Sequence, residues 1–282
     1  MVVSLAKVGR RRLENRLFVA FCMAVTGLAL AALALILISL ARQGISGLNL
    51  AVFTRSTPAA GTPGGLLNAI VGSILLCALG MAIAGVIGVL SGTWLAEYAG
   101  RGRYGELVRF LNDVLLSAPS ILIGLFVYEI LVAPFKGFSG YAGAIALAIL
   151  ATPVITRTTE DVLRLQPTSL REAAVALGAP FWRVIGAVLW RAAQSGILTG
   201  GLLAFARISG ETAPLLFTAL NNQFFSWNMA KPMANLPVVI FQFALTPYAD
   251  LNRLAWAGAL IIAASVLAVT IIARALSKEA SR

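Results

Sequence analysis

The sequence predicts an all-α integral membrane protein, and three observations carry that prediction. Hydrophobic residues make up 59% of the 282 and charged residues 12%, with a mean hydropathy of +0.89, far outside the range of a soluble globular domain. Six apolar runs, at about 17–41, 66–93, 107–132, 139–156, 196–218 and 254–276, are long enough to cross about 30 Å of hydrocarbon, which takes roughly 20 helical residues. No segment alternates polar and apolar residues over about ten positions, as the strands of a membrane barrel do. The expectation is therefore six transmembrane helices.

The first run follows a basic segment, 1–16, with Lys7, Arg10, Arg11, Arg12 and Arg16. A cleaved signal peptide begins in the same way, but its apolar core is only about 7–15 residues, so an uncleaved anchoring helix is expected. The linker at 42–65, "TRSTPAAGTPGG" at its centre, is rich in Gly, Pro, Ser and Thr and reads as irregular and exposed. The third run carries Asp113 and Glu129 near its two ends, where a charge costs least, and neither is given a role. The segment at 219–253 contains "LPVVIFQFAL", apolar but too short to span, which predicts a helix at the interface or folded back on the bundle.

The net charge of +11 would point to nucleic acid in a soluble protein, but here the positive residues sort by side of the membrane. Arg101, Arg103 and Arg109 lie between the second and third runs. Arg157, Arg164, Arg171, Arg183 and Arg191 lie between the fourth and fifth, and Arg274, Lys278 and Arg282 follow the last. With the basic segment 1–16, these predict cytoplasmic loops and two cytoplasmic termini. The opposite side has only Arg42, Arg55, Lys136, Lys231 and Arg253. The partner implied is the lipid bilayer, with no nucleic acid.

Motifs for chemistry are missing from the sequence. It contains no GxxxxGK[ST] loop, GxGxxG, HExxH or nucleophile elbow, so any ATP must be bound by another chain. Cys22 and Cys77 fall in apolar runs, where cysteine behaves as a small buried hydrophobe, and with no histidine and no CxxC spacing no metal site is expected.

The cytoplasmic segment 157–195 is polar, mixed in charge and helically patterned, which suggests a docking element. From Arg171 it reads "REAAVALGAPFWRVIGAVLWRAA". Glu172, Ala173, Ala174 and Gly178 stand at the spacing of the EAA motif of ABC importer permeases, in which this loop engages the ATPase subunits. These residue types suit such a contact, since Ala permits close approach, Glu172 offers an acceptor, and Gly178 allows a turn. Plain helix-forming sequence with a C-terminal glycine gives the same string. The family motif usually ends in Leu-Pro, where this chain has Trp190-Arg191.

"LNDVLLSAPSILIGLFVY", "PVITRTTEDVLR" and "ARISGETAPLLFTAL" resemble the A-type (PstA) permeases of phosphate-uptake ABC importers. The resemblance implies a type I ABC importer permease over 1–282, with 157–195 as its coupling loop and 219–253 as an external loop, in the bacterial plasma (inner) membrane. It also implies a paralogous permease subunit, a dimer of cytoplasmic ATP-binding subunits holding ATP-Mg, an external phosphate-binding protein, and phosphate as substrate. The chain itself would hold no cofactor and would not be an enzyme. Alternatives are a permease for sulfate or molybdate, or a membrane scaffold or sensor without flux. A secondary transporter is disfavoured because no inverted repeat is evident.

Arg207 and Glu211 are the charged residues deep inside a run. Counted from Gly196, Arg207 lies about 16 Å along the fifth helix, near the midplane, and Glu211 would share its face at i+4. A midplane charge costs about 2.5–3.5 kcal/mol and such a pair returns only about 0.2–0.5 kcal/mol, so another role is needed. Either an interhelical ion pair fixes register, or Arg207, Glu211 and Thr212 line an anion path, as the resemblance implies. Gly210, Thr212 and Pro214 predict a local break in that helix. Arg157 reads as an interfacial anchor, with receipt of the anion on exit as the alternative.

Overall fold

The computed structural model describes residues 5–100 and 102–279. Residues 1–4 of the N-terminal segment, Arg101 and Arg282 lie outside the described residues, as do the surroundings of the side chains of Lys7, Arg10, Arg274 and Lys278. In chain order the helices are α1 (Leu5–Gly47), α2 (Leu50–Thr54), α3 (Leu67–Glu97), α4 (Arg103–Ser117), α5 (Ser120–Val127), α6 (Gly140–Arg164), α7 (Thr168–Ala176), α8 (Phe181–Arg183), α9 (Trp190–Ile208), α10 (Ala213–Thr218), α11 (Leu236–Ala244) and α12 (Ala249–Glu279). A π-helical turn, Tyr128–Val132, extends α5, and another, Val184–Leu189, joins α8 to α9.

Among the described residues, α1, α3, α6 and α12 are long and apolar enough to cross a membrane as single helices, and α4 with α5 forms a pair bent by 105°. Two of the six predicted runs are thus interrupted. The 107–132 run bends at Ala118 (φ −66°, ψ 135°), because Pro119 drives the residue before it out of the helical region. The 196–218 run breaks after Ile208, and α10 restarts with Pro214 in its first turn, where a missing N–H costs nothing.

The core is the pair α3 and α6. Buried residues of α3 recur every fourth position at Gly80, Ala84, Gly88 and Gly92, and α6 presents Ala144, Leu147, Ala148, Ala151 and Ile155 to them. A Cβ at Gly88 would fall 2.7 Å from Ile155 Cβ, and one at Gly92 would fall 2.5 Å from the Thr156 carbonyl. Without a hydrophobic force between helices in lipid, this close approach of backbones is what holds them.

By contrast, residues 11–38 of α1 are exposed, Cys22 included, since only the far end of α1, at Gly44 and Gly47, crosses α12. The 42–65 linker is more ordered than its composition predicts. It contains α2, and Thr57 and Pro58 are buried: the Thr57 N–H donates to Asn68 Oδ1 (2.9 Å), while Asn68 Nδ2 donates to Thr57 Oγ1 and to the Asn222 carbonyl (2.9 and 2.7 Å). The short apolar helix of the 219–253 segment is α11, capped by Asn235 and folded back so that Leu236, Val238, Val239 and Phe243 are buried.

Candidate functional site

Two regions hold the residues that the sequence singled out. The first is the interruption between α9 and α10. Arg207 lies in the last turn of α9, where a cation faces the negative end of the helix dipole. Ser209 and Gly210 form the turn, Glu211 follows with its N–H donating to the Ile208 carbonyl (3.3 Å), and Thr212 stands at the N-cap of α10. The predicted break is present, but it falls between Arg207 and Glu211, so the two do not share a helix face at i+4. Among the described residues neither side chain has a hydrogen bond or an ion pair. Arg207, Glu211 and Thr212 are all half-buried and cluster at one backbone break. The break itself is backed by α5, since Gly124 leaves room for Pro214.

Below it, α6 and α9 approach each other through Gly196 against Val162 and Gly200 against Thr158. Along this contact runs an open groove of about 330 Å³ that includes Thr158, Asp161, Ser195 and Thr199. Arg157 pairs with Asp161 across one turn of α6 at 3.4 Å, with both side chains about half exposed. An exposed pair of this kind contributes at most about 1 kcal/mol.

The second region is α7. Glu172 and Ala173 are exposed on it, and Ala174 turns inward against the apolar cluster of Leu163, Val184, Ile185, Leu189 and Ala193. Gly178 ends the turn after α7 with φ +77°, a left-handed conformation that side chains other than glycine or asparagine rarely take. The Gly178 and Ala179 N–H groups return to the Val175 and Ala174 carbonyls. Where the expected Leu-Pro is replaced by Trp190-Arg191 nothing interrupts the ladder, and the helix runs unbroken from Phe181 through the π turn to Ile208. Trp190 Nε1 donates to Thr93 Oγ1 (3.1 Å), tying this rod to α3.

Sequence reasoning missed the charged groups that brace this end. Glu160, on α6 and 2% exposed, accepts from Arg109 Nε (2.7 Å) and Arg164 Nη2 (2.8 Å). Arg109 also donates to the Leu95 and Gly100 carbonyls at the end of α3. Arg171, next to Glu172, makes a two-pronged pair with Glu97 (2.6 and 2.9 Å). Its hydrogen bonds to Glu97 hold the Arg171 pKa above its ordinary value, against the lowering by burial. The available signal was a run of charges, Arg109, Glu160, Arg164 and Arg171, too many to serve only as orientation markers.

Known proteins supply the comparison. The model of the family described as binding-protein-dependent transport system inner membrane component matches residues 86–282. The chain is 54% identical over 264 residues to the phosphate transport system permease protein PstA of Haemophilus influenzae, covering 94% of each. It is 53% identical over 275 residues to the protein of the same name from Pasteurella multocida, covering 96% of this chain and 97% of that one. The probable phosphate transport system permease protein PstA of Methanocaldococcus jannaschii is 33% identical over 275 residues, 95% of each. Among solved structures, a chain of the inward-facing MetNI methionine ABC transporter superposes with a TM-score of 0.63 at 18% identity, over 76% of this chain and 97% of that one, a likeness of fold.

Proposed function

The chain belongs to the family of binding-protein-dependent transport system inner membrane components, and from that membership we propose that it is the A-type permease subunit of an ATP-driven phosphate importer. The observation that carries this reading is 54% identity to a phosphate permease over 94% of both lengths. The protein is a multi-pass membrane protein, and the basic loops support an orientation with both termini in the cytoplasm.

In this reading half of the pathway is this chain and half is a paralogous permease. An external binding protein delivers phosphate, and a cytoplasmic pair of ATPase subunits, which hold ATP-Mg, docks on α7. The exposed Glu172 and Ala173 face the ATPase, and Gly178 sets the angle at which the chain leaves the contact. Arg207, half-buried and without an anionic partner among the described residues, offers its planar guanidinium to phosphate oxygens. Glu211, on the far side of the break, lowers the local positive potential enough for the anion to leave. Thr212 supplies a hydroxyl at the same point. Arg157, already held by Asp161, serves as an anchor beside the α6–α9 groove.

The test is uptake of labelled phosphate by cells lacking this chain, restored with the native sequence or with Arg207→Gln at equal membrane levels. The native chain restores uptake, excess sulfate does not compete, and Arg207→Gln lowers the rate roughly tenfold or more, the loss expected for a hydrogen bond to a charged group. Equal rates from the two chains would remove Arg207 from the pathway. Competition by sulfate would overturn phosphate as the substrate.

A further inference from the structure

Arg171 uses every N–H of its guanidinium. Nε and Nη2 take the two oxygens of Glu97, at 2.9 and 2.6 Å. Nη2 also donates to the Leu163 carbonyl (2.8 Å), and Nη1 donates to the carbonyls of Gln166 (2.8 Å) and Pro167 (3.5 Å). Glu97 is the last residue of α3, and its side chain is 3% exposed. Leu163 lies in the last turn of α6, and Gln166 and Pro167 form the link from α6 to α7. One side chain of α7 therefore joins the ends of the two helices that form the core.

The rest of α7 is loosely held. It has no buried residue, and it is flanked by Gln166-Pro167 on one side and Gly178-Ala179-Pro180 on the other. Its apolar contact with the bundle is confined to Leu170 and Ala174. A load applied at Glu172 and Ala173 would bend these short links unless something else carried it to α3 and α6.

We propose that Arg171 and Glu97 are positioning residues that make α7 move as one body with α3 and α6, so that displacement of the coupling helix reaches the pathway and is not lost in its links. The inference rests on the importer reading above. Lysine cannot replace the arginine, because a single ammonium lacks the planar fork that grips a carboxylate and three carbonyls together.

The experiment uses the complete transporter in liposomes, with its permease partner, ATPase subunits and phosphate-binding protein, and measures ATP hydrolysed per phosphate moved alongside ATPase retention. Arg171→Gln and Glu97→Gln retain the ATPase and hydrolyse ATP, but the ATP-to-phosphate ratio rises about fivefold or more, the low end of coupling between sites. Arg171→Lys falls between, and the reciprocal pair Arg171→Glu with Glu97→Arg brings the ratio back toward the native value. An unchanged ratio overturns the proposal, and so does loss of the ATPase from the complex in step with uptake, which marks a docking or folding role. If the native complex moves no phosphate, the importer reading fails. The mechanical claim is then judged by spin labels at Ala173 and Val86 in a chain with Cys22 and Cys77 replaced by serine. Their distance distribution broadens in Arg171→Gln if the proposal holds, and an unchanged width overturns it.

Discussion

Glu160 of α6 accepts a 2.7 Å hydrogen bond from Nε of Arg109 on α4, with its side chain 2% exposed and that of Arg109 18% exposed. The same oxygen takes Nη2 of Arg164 at 2.8 Å, so a buried carboxylate sits between two cations. Removing one partner of such an arrangement leaves uncompensated charge, and this cost exceeds what forming the pair contributed.

Glu160→Ala is therefore expected to destabilise the protein by about 3–5 kcal/mol. Arg164→Ala, at a side chain 48% exposed and with Arg109 still in place, costs about 1 kcal/mol or less. Thermal unfolding of the detergent-purified protein separates the two, and equal losses would refute the burial argument.

The α3–α6 contact makes a second prediction with an internal control. Gly92→Ala places a methyl 2.5 Å from the Thr156 carbonyl and forces the helices apart, at about 1–3 kcal/mol. Gly85→Ala, one face away and with nothing within 4 Å, is neutral or stabilising by about 0.5–1 kcal/mol. The thermal midpoints of the two variants should move in opposite directions or, at the least, differ clearly.

Gly178 tests the backbone alone, since a Cβ there meets nothing within 4 Å while φ is +77°. Gly178→Ala costs about 1–2 kcal/mol of left-handed strain, and Gly178→Asn costs less because asparagine tolerates that region. If ATPase subunits dock on α7 as proposed, their copurification should follow the order Gly, Asn, Ala.

Asn68 ties the 55–65 segment to the chain around Asn222. Asn68→Ala removes the partner of the buried Thr57 N–H, at about 1–3 kcal/mol, and the bond to the half-buried Asn222 carbonyl. Limited proteolysis of the detergent-purified protein should then cut 55–65 and 221–235 faster, with the core helices still protected.

Much of this architecture was legible in the sequence because membrane helices need long apolar runs, which composition records directly. The helix break at Gly210 to Pro214 and the turn at Gly178 were legible for a local reason: the residues themselves are incompatible with continued helix. That α11 is too short to span followed from its length, whereas its folding back on the bundle instead of lying at the interface was decided by the structure. The bend at Pro119 carried the same kind of signal, in "SAPS", and was hidden by the apolar run around it. The order in the 42–65 linker was not legible, because Asn68 holds Thr57 from within the next helix and Asn222 from a segment far along the chain.

The sequence by itself determined that the chain is helical and membrane-embedded, where its positive charge is concentrated, and which short stretches resemble those of an importer permease. These are properties of neighbouring residues and of local periodicity. Only the tertiary structure decided that Glu160 is held by Arg109 and Arg164, and that Arg171 reaches back to Glu97. Each joins side chains from segments far apart in the chain, at distances set by how α3, α4, α6 and α7 come together around the close α3–α6 contact, which no single segment encodes.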